Sequence, residues 1–204
     1  MPKVVDPRLR RRELAEAVWR VVRRDGLEHA SVRNVAREAG LSMGSLRHYF
    51  ASQSQLMTFA LRMVIEGIEQ RIAALAPDGD PSDRAARVLA ELLPLDDQRR
   101  AENEVWLAFT ARAMTDPELR ALRDEGYDAL RAVCRGLVTE LIDPARDPDR
   151  EAARLHALLD GLAVHAAMRP DVDTPDVMRT VIADHLAELR APRADTVPTR
   201  RNRS

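Results

Sequence analysis

Cysteine, long apolar runs and aromatic residues are all scarce in this 204-residue chain, where aromatic residues make up 3%. The single cysteine, Cys134, excludes an intrachain disulfide and a cysteine zinc cluster. No apolar run approaches the roughly 18 residues that a membrane-spanning helix needs, and the first residues, MPKVVD, lack the apolar segment of a secretion signal. We therefore predict a cytoplasmic protein with no membrane contact.

The abundant residues are those that favour helices. Apolar residues make up 45% of the chain, charged residues 32%, and Ala, Leu, Arg and Glu dominate. Apolar positions recur at three- and four-residue steps, and no useful length alternates with period two. Prolines and glycines separate the periodic segments. We predict an all-α protein with helices over about 8–25, two short segments between 31 and 50, and 52–76, 82–93, 97–115, 117–142, 149–169 and 175–190.

The charge is unevenly distributed along the chain, although the whole carries a net charge of −1. Residues 1–50 carry eleven basic and six acidic side chains, whereas residues 51–190 carry seventeen and twenty-six. The last fourteen residues carry four arginines and one aspartate, with no apolar pattern. A basic N-terminal segment followed by an acidic one predicts that the N-terminal segment binds a polyanion.

The N-terminal fifty residues have the pattern of a helix-turn-helix. A short helix capped by Ser31 ends at Gly40, and Ser42 caps a very short helix after a turn of a few residues. The stretch LEHASVRNVAREAGLSMGSLRHYFASQSQL, from Leu27 to Leu56, resembles the TetR family of transcriptional regulators. The matching positions are the Ser31 cap, Val35-Ala36, Ala39-Gly40, Gly44-Ser45-Leu46, Tyr49-Phe50 and the Leu56 anchor.

This resemblance implies a domain organisation. It predicts an all-α fold with an N-terminal three-helix helix-turn-helix head over 1–51, followed by a helical ligand-binding and dimerisation body over 52–190. We expect a disordered basic tail over 191–204. The implied function is a ligand-responsive repressor that binds a palindromic operator in double-stranded DNA as a homodimer and is released by a small-molecule effector. No cofactor and no metal are expected.

The resemblance also assigns DNA contacts. They fall on Ser31, Arg33, Ser42, Met43, Gly44, Ser45, Arg47, His48, Tyr49 and Gln53. The positions from Ser42 to His48 are expected in or beside the major groove, where Arg47 can donate two parallel hydrogen bonds to guanine. Gln53 stands where the family often has a lysine, so phosphate contact leans more on the arginines of residues 8–12. That cluster is either a DNA contact or a solvated helix start.

Two further residue sets are assigned to the body. The last two helices carry apolar stripes that the resemblance makes the dimer interface: Leu155, Leu158, Leu159, Leu162, Val177, Met178, Val181, Ile182, His185 and Leu189. The alternative is that these stripes cover the core of a single chain. The effector site is predicted among Met63, Trp106, Phe109, Thr110, Met114, Tyr127, Cys134, Asp160 and His165. Residues 160–170 resemble the BetI-like branch, for which a cationic ligand has precedent.

Two other function classes compete with a DNA-binding regulator. An enzyme is disfavoured because the glycines are scattered, no histidines are spaced to share a metal ion, and no nucleophile elbow is present. A helical adaptor that binds only protein would need neither the basic head nor the Gly44-Ser45 approach to DNA. Activation in place of repression stays open, since the sequence does not give the operator position.

Overall fold

The structure, a computed structural model, describes residues 7–26 and 29–191. Within these ranges the chain forms nine α-helices and no strand, which confirms the predicted fold class. The helices are α1 (Pro7–Asp25), α2 (Val32–Glu38), α3 (Met43–Arg47), α4 (Gln53–Ala73), α5 (Pro81–Leu92), α6 (Asp97–Ala113), α7 (Pro117–Leu141), α8 (Pro148–Met168) and α9 (Pro175–Arg190). The expected basic tail over 191–204 lies outside the described residues, apart from Ala191.

The helix boundaries follow from capping side chains and prolines. The side chain before each helix from α2 to α9 accepts a hydrogen bond from a backbone N–H of the first turn; these caps are Ser31, Ser42, Ser52, Asp80, Asp96, Asp116, Asp147 and Thr174. Proline opens α5, α7, α8 and α9, where its missing N–H costs nothing. Gly26 and Gly40 follow α1 and α2 with φ of +81° and +64°, as left-handed helix ends require.

A first core joins the head to part of the body. It contains the buried faces of α1 and α2, Leu46 of α3, and the first two thirds of α4. It continues into α6 through Val105 and Phe109 and into the start of α7 through Leu119 and Leu122. The Phe50 and Phe59 rings, with centroids 5.0 Å apart, pack where the head passes into α4. The head is therefore packed on the body and shares one continuous core with it.

A second core lies at the other end of the body. It is built from α5, the C-terminal half of α7, α8 and α9, with Leu89, Leu155, Leu186 and Leu189 among its most buried members. Helix α4 reaches this core near its end, where Ile72 packs against it. The space between the two cores is where the larger cavity of the body lies. In the described ranges, every helix is too short or too polar to cross a membrane.

Candidate DNA-recognition face and effector cavity

Helix α3 directs its polar side chains outward. Leu46 is its one buried side chain, and it anchors the helix in the first core. Ser42 accepts a hydrogen bond from the Ser45 N–H at 3.0 Å, and the two hydroxyl oxygens lie 2.9 Å apart. The remaining predicted groove residues, Met43, Gly44, Arg47 and His48, are exposed. Because this face makes few contacts within the chain, its donors and acceptors are available to base edges.

The other four predicted DNA contacts, Ser31, Arg33, Tyr49 and Gln53, differ in how far their side chains are already used within the chain. Arg33 and Tyr49 are exposed, and Tyr49 is 47% accessible. The Ser31 hydroxyl accepts from the Asn34 N–H at 3.2 Å. Gln53 donates from Nε2 to the Ala30 carbonyl at 2.9 Å, so part of its side chain already fixes α4 to the segment before α2. The side chains of Arg8, Arg11 and Arg12 lie outside the described ones.

The larger chamber of the body has a volume of about 530 Å³ and opens between α4, α5, α6, α7 and α8. Its apolar wall comes from both cores, with Leu61, Val64 and Leu122 from the first and Leu93 and Leu159 from the second. A volume of this size lies within the range of ligand pockets in proteins. The chamber therefore suits a small molecule that is largely apolar.

A partly buried ion network borders the larger chamber, which Glu91, Arg99 and Glu102 line. Arg71 of α4 forks onto both carboxylate oxygens of Glu102, at 2.9 and 2.6 Å, and donates from Nε to Glu91 at 2.8 Å. Arg99 completes the network with a 2.9 Å hydrogen bond to the other oxygen of Glu91. Glu102 is only 5% exposed, and its charge is compensated by this bidentate contact. This network leaves no signal in the sequence, because its four side chains come from three different helices.

A smaller chamber of about 460 Å³ adjoins the larger one. The two chambers share Trp106, Asp160 and Ala163 as lining residues, and Thr110 and Tyr127 line the smaller one. The Trp106 ring lies against Gly126, where an added Cβ would be 2.9 Å from Cζ3. Four of the predicted effector residues thus line a chamber, and two of these, Trp106 and Asp160, line both.

Asp160 lies in a partly desolvated position on α8. Its Oδ2 atom is 3.5 Å from Nε2 of the buried His156, whose ring packs against Tyr127 at a tilt of 44° with centroids 4.7 Å apart. Burial raises the pKa of Asp160, and the neighbouring His156 lowers it by a smaller amount. Across the described ranges, no three His, Cys, Asp or Glu side chains group as metal ligands.

The other predicted effector residues line neither chamber. Phe109 and Cys134 are fully buried, the first in the first core and the second in the second core, because their helix faces point between packed helices. Burial also raises the pKa of the Cys134 thiol to about 12. Met114 and His165 point to solvent, and Met63 is half-buried on α4.

Most of the predicted dimer residues are buried within the single chain. The buried ones are Leu155, Leu159, Leu162, Met178, Ile182, His185 and Leu189. They pack in the second core, because α8 lies along α7 and α9 lies against α5. Burial lowers the pKa of His185, with Arg154 adding to the effect. Leu158 and Val181 are half-buried, and Val177 is 41% exposed.

The arrangement of these elements defines a class of protein. A helix-turn-helix with an outward polar face is packed on a helical body that contains an apolar cavity. This is the architecture of a one-component transcriptional regulator, in which one chain carries both the DNA-recognition face and the effector cavity.

Comparisons with known proteins give the family. Residues 14–58 match the N-terminal region of bacterial regulatory proteins of the TetR family, and residues 81–191 match the C-terminal region of the BetI-type transcriptional repressors. The chain belongs to the TetR family of transcriptional regulators, and the predicted resemblance is confirmed. It is 40% identical over 195 residues to the HTH-type transcriptional regulator PksA of Bacillus subtilis (strain 168), covering 93% of this chain and 94% of that protein.

Solved structures agree with this assignment. A transcriptional regulator from Rhodococcus sp. Rha1 superposes with a TM-score of 0.78 and 31% identity, covering 88% of this chain and 95% of that one. A regulator from Saccharomonospora viridis, solved in complex with choline, superposes with a TM-score of 0.74 and 26% identity, covering 88% of this chain and 96% of that one.

Proposed function

We propose that the protein is a ligand-responsive repressor that binds a palindromic operator as a homodimer and releases it when a small molecule occupies the body. The observation that carries the proposal is the pairing of an exposed polar recognition helix with a cavity whose wall includes α4, the helix that follows the head. Because both features belong to the first core, a change at the cavity wall can alter the position of the head.

DNA recognition in this proposal rests on α3. Arg47 donates to guanine in the major groove, and Ser42, Met43, Gly44, Ser45 and His48 contact neighbouring base edges or phosphates. Ser31, Arg33, Tyr49 and Gln53 contact phosphates beside the groove. Since α3 has only five residues, one copy contacts few base pairs, and specificity requires two heads on two half-sites. Because the proposed partner is operator DNA, we expect the protein to act in the cytoplasm.

The homodimer in this proposal uses the outward side of the last two helices. Val164 and Met168 of α8, Val172 of the connecting segment and Val177 of α9 are exposed apolar residues, with accessibilities of 39, 71, 52 and 41%. Exposed apolar residues on two successive helices and on the segment between them favour an interaction surface. Leu158 and Val181 extend this surface, whereas the buried members of the two stripes support it from within.

The dimer surface can be tested without unfolding the chain. Val177→Asp places a charge on an exposed site, so we expect a folded protein that sediments as a monomer at concentrations where the parent is dimeric. Ala132→Asp, which adds the same charge to an exposed position of α7, should leave the mass unchanged. An unchanged mass for Val177→Asp would show that the interface lies elsewhere.

The effector part of the proposal has support from a relative. The Saccharomonospora viridis regulator was solved in complex with choline. In the present chain the larger chamber is the corresponding candidate, and a ligand there releases DNA only if it binds the DNA-incompetent arrangement more tightly. By linkage, operator DNA must weaken ligand binding by the same factor.

Selection of bound sites from random duplex DNA by the purified protein tests the function directly. We expect an enriched palindrome, with two half-sites spaced by about one helical turn, whose binding weakens as salt rises. Enrichment without symmetry would contradict the dimeric operator. A folded protein that enriches no sequence, with or without candidate effectors, would contradict operator recognition altogether.

A further inference from the structure

The recognition helix α3 has an apolar side chain on its exposed side. Met43 is 38% exposed, whereas Leu46 is buried, Gly44 has no side chain, and Ser45 and Arg47 carry hydrogen-bonding groups. A methionine side chain has no hydrogen-bond donor and only a weak sulfur acceptor. It therefore gains little from the donors and acceptors of a base edge, and its preference among base pairs must come from apolar contact.

The glycine next to Met43 indicates that this part of α3 approaches DNA closely. The backbone of Gly44 is helical, and an added Cβ would meet the Ser42 Oγ atom at 3.8 Å, an ordinary van der Waals distance. Neither the backbone conformation nor the packing of the chain therefore requires a glycine, which lowers the stability of a helix. Close approach of a partner to the backbone does require one. Met43 then lies within reach of the base edges.

The two serines of this region contribute little to discrimination between bases. The Ser42 Oγ atom accepts a hydrogen bond from the Ser45 N–H at 3.0 Å and lies 2.9 Å from the Ser45 Oγ atom, so both hydroxyls are partly used in forming the first turn. A hydroxyl can also donate or accept, so it can pair with any base edge. Within α3, discrimination between bases therefore falls to Arg47 and Met43.

Met43 and Arg47 lie one helical turn apart on the same side of α3. Arg47 follows Met43 by four residues, which places the two Cβ atoms about 5–6 Å apart. Successive base pairs are stacked about 3.4 Å apart along the duplex. The two side chains therefore reach base pairs that are one or two steps apart in the same half-site.

The apolar group that base pairs present in the major groove is the C5-methyl group of thymine. Contact with it removes apolar surface of both Met43 and the methyl group from water. Against any other base edge, Met43 would cover a donor or an acceptor without pairing with it, and that group would lose its hydrogen bond to water. Thymine is therefore the base that an exposed methionine on this face favours.

We propose that Met43 is a specificity-determining residue that contacts the C5-methyl group of a thymine, one or two base pairs from the guanine that Arg47 binds in the same half-site. This inference rests on the proposed function, because it takes the operator to be bound through α3. Each half-site then contains a thymine whose methyl group contributes to binding, close to a guanine whose major-groove acceptors contribute to binding.

Base analogues in the selected operator test the contact with the full-length protein. Uracil replaces each thymine in turn, at both symmetric positions of the palindrome, and removes only the C5-methyl group. We expect one position at which binding weakens about fourfold for each half-site, the value for one buried methyl group. Replacing guanine by 7-deazaguanine removes the N7 acceptor and locates the guanine that Arg47 binds. The two sensitive positions should lie within two base pairs of each other.

Variants assign the methyl contact to a side chain. In Met43→Ala, which stays folded because the residue is exposed, the preference for thymine over uracil should vanish at that position, while 7-deazaguanine still weakens binding. Met114→Ala removes a methionine that is 70% exposed at the C-terminal end of α6, and it should keep the preference of the parent. A preference that persists in Met43→Ala would overturn the proposal.

The outcomes separate this inference from the proposed function. An enriched palindrome in which no thymine is sensitive to uracil would overturn the role of Met43 and leave the operator-binding regulator intact. A sensitive thymine more than two base pairs from the guanine would overturn the placement of the two side chains on one half-site. A folded protein that enriches no sequence would overturn both the inference and the proposed function.

Discussion

Helices α3 and α8 are held in opposite ways. Helix α3 buries one side chain among five residues, whereas α8 buries eight among twenty-one. A five-residue helix is unstable alone, so the position of α3 depends on Leu46 and on the Ser42 cap. Residues of α8, by contrast, pack in the second core, line the two chambers and form an exposed apolar side. The DNA-recognition face can therefore change residue by residue at little cost in stability, and α8 cannot.

The largest loss should come from removing the single anchor of α3. Leu46→Ala should lower the free energy of unfolding by about 2–5 kcal/mol, because Leu46 is fully buried, and should abolish operator binding as α3 loses its position. Chemical denaturation and DNA titration measure the two effects. Met43→Ala, on the exposed side of the same helix, should change stability by less than about 0.5 kcal/mol. Equal stability of the two variants would refute the single-anchor description.

A change on the exposed side of α3 should affect DNA binding without affecting stability. Arg47→Ala should weaken binding to the selected operator by about 1–3 kcal/mol and leave the melting temperature unchanged, since the side chain is exposed. Competition against mismatched duplexes measures the loss. Arg120→Ala removes the same charge from an exposed position of α7 and serves as the control. A loss equal for all DNA sequences would mean that Arg47 contacts only the phosphate backbone.

The attachment of α4 to α7 should respond to a smaller change. The Ser54 hydroxyl at the start of α4 donates to Oδ2 of Asp116, the cap of α7, at 2.7 Å. Ser54→Ala should lower the free energy of unfolding by about 0.5–1.5 kcal/mol. Thr139→Ala on α7, whose hydroxyl bonds only its own helix backbone, should cost less. If thermal denaturation gives the reverse order, this contact does not hold α4 to α7.

The smallest expected effect is a pH dependence in the head. Hydrogen bonds from Arg20 and Arg24 lower the pKa of Glu38, linking α2 to α1. A lowered carboxyl pKa stabilises the fold above the unfolded-state value and loses that contribution as pH falls through the folded-state value. The stability difference between the parent and Glu38→Gln should therefore be largest near neutral pH and shrink below about pH 4.5. A difference that grows on acidification would contradict this.

The sequence predicted the helices well, because their boundaries depend on local chemistry. The Ser31 and Ser42 caps, the prolines and Gly40 act within a few residues of their own position, so a linear pattern contains them. The one sizeable difference is at the end of α4, which stops at Ala73 although apolar residues continue to Leu75. The fold class and the family followed from the same local signals.

The chambers were harder to predict, because a helical stripe shows that a face is buried without showing what covers it. Phe109 and Trp106 lie three residues apart on α6, yet Phe109 is enclosed by the first core and Trp106 lines both chambers. The close approach of the Trp106 ring to Gly126 joins α6 to α7. The hydrogen bonds of Arg71 join α4 to α5 and α6. Such tertiary pairings leave no periodic signal in one sequence.

The buried thiol of Cys134 can report on opening of the second core. Its pKa of about 12 and its complete burial mean that a thiol reagent reacts only after α7 has separated from its neighbours. Because the chain has one cysteine, the labelling rate in native buffer counts opening events at a single place. A ligand that ties the two cores together would slow this labelling, and one that forces them apart would speed it.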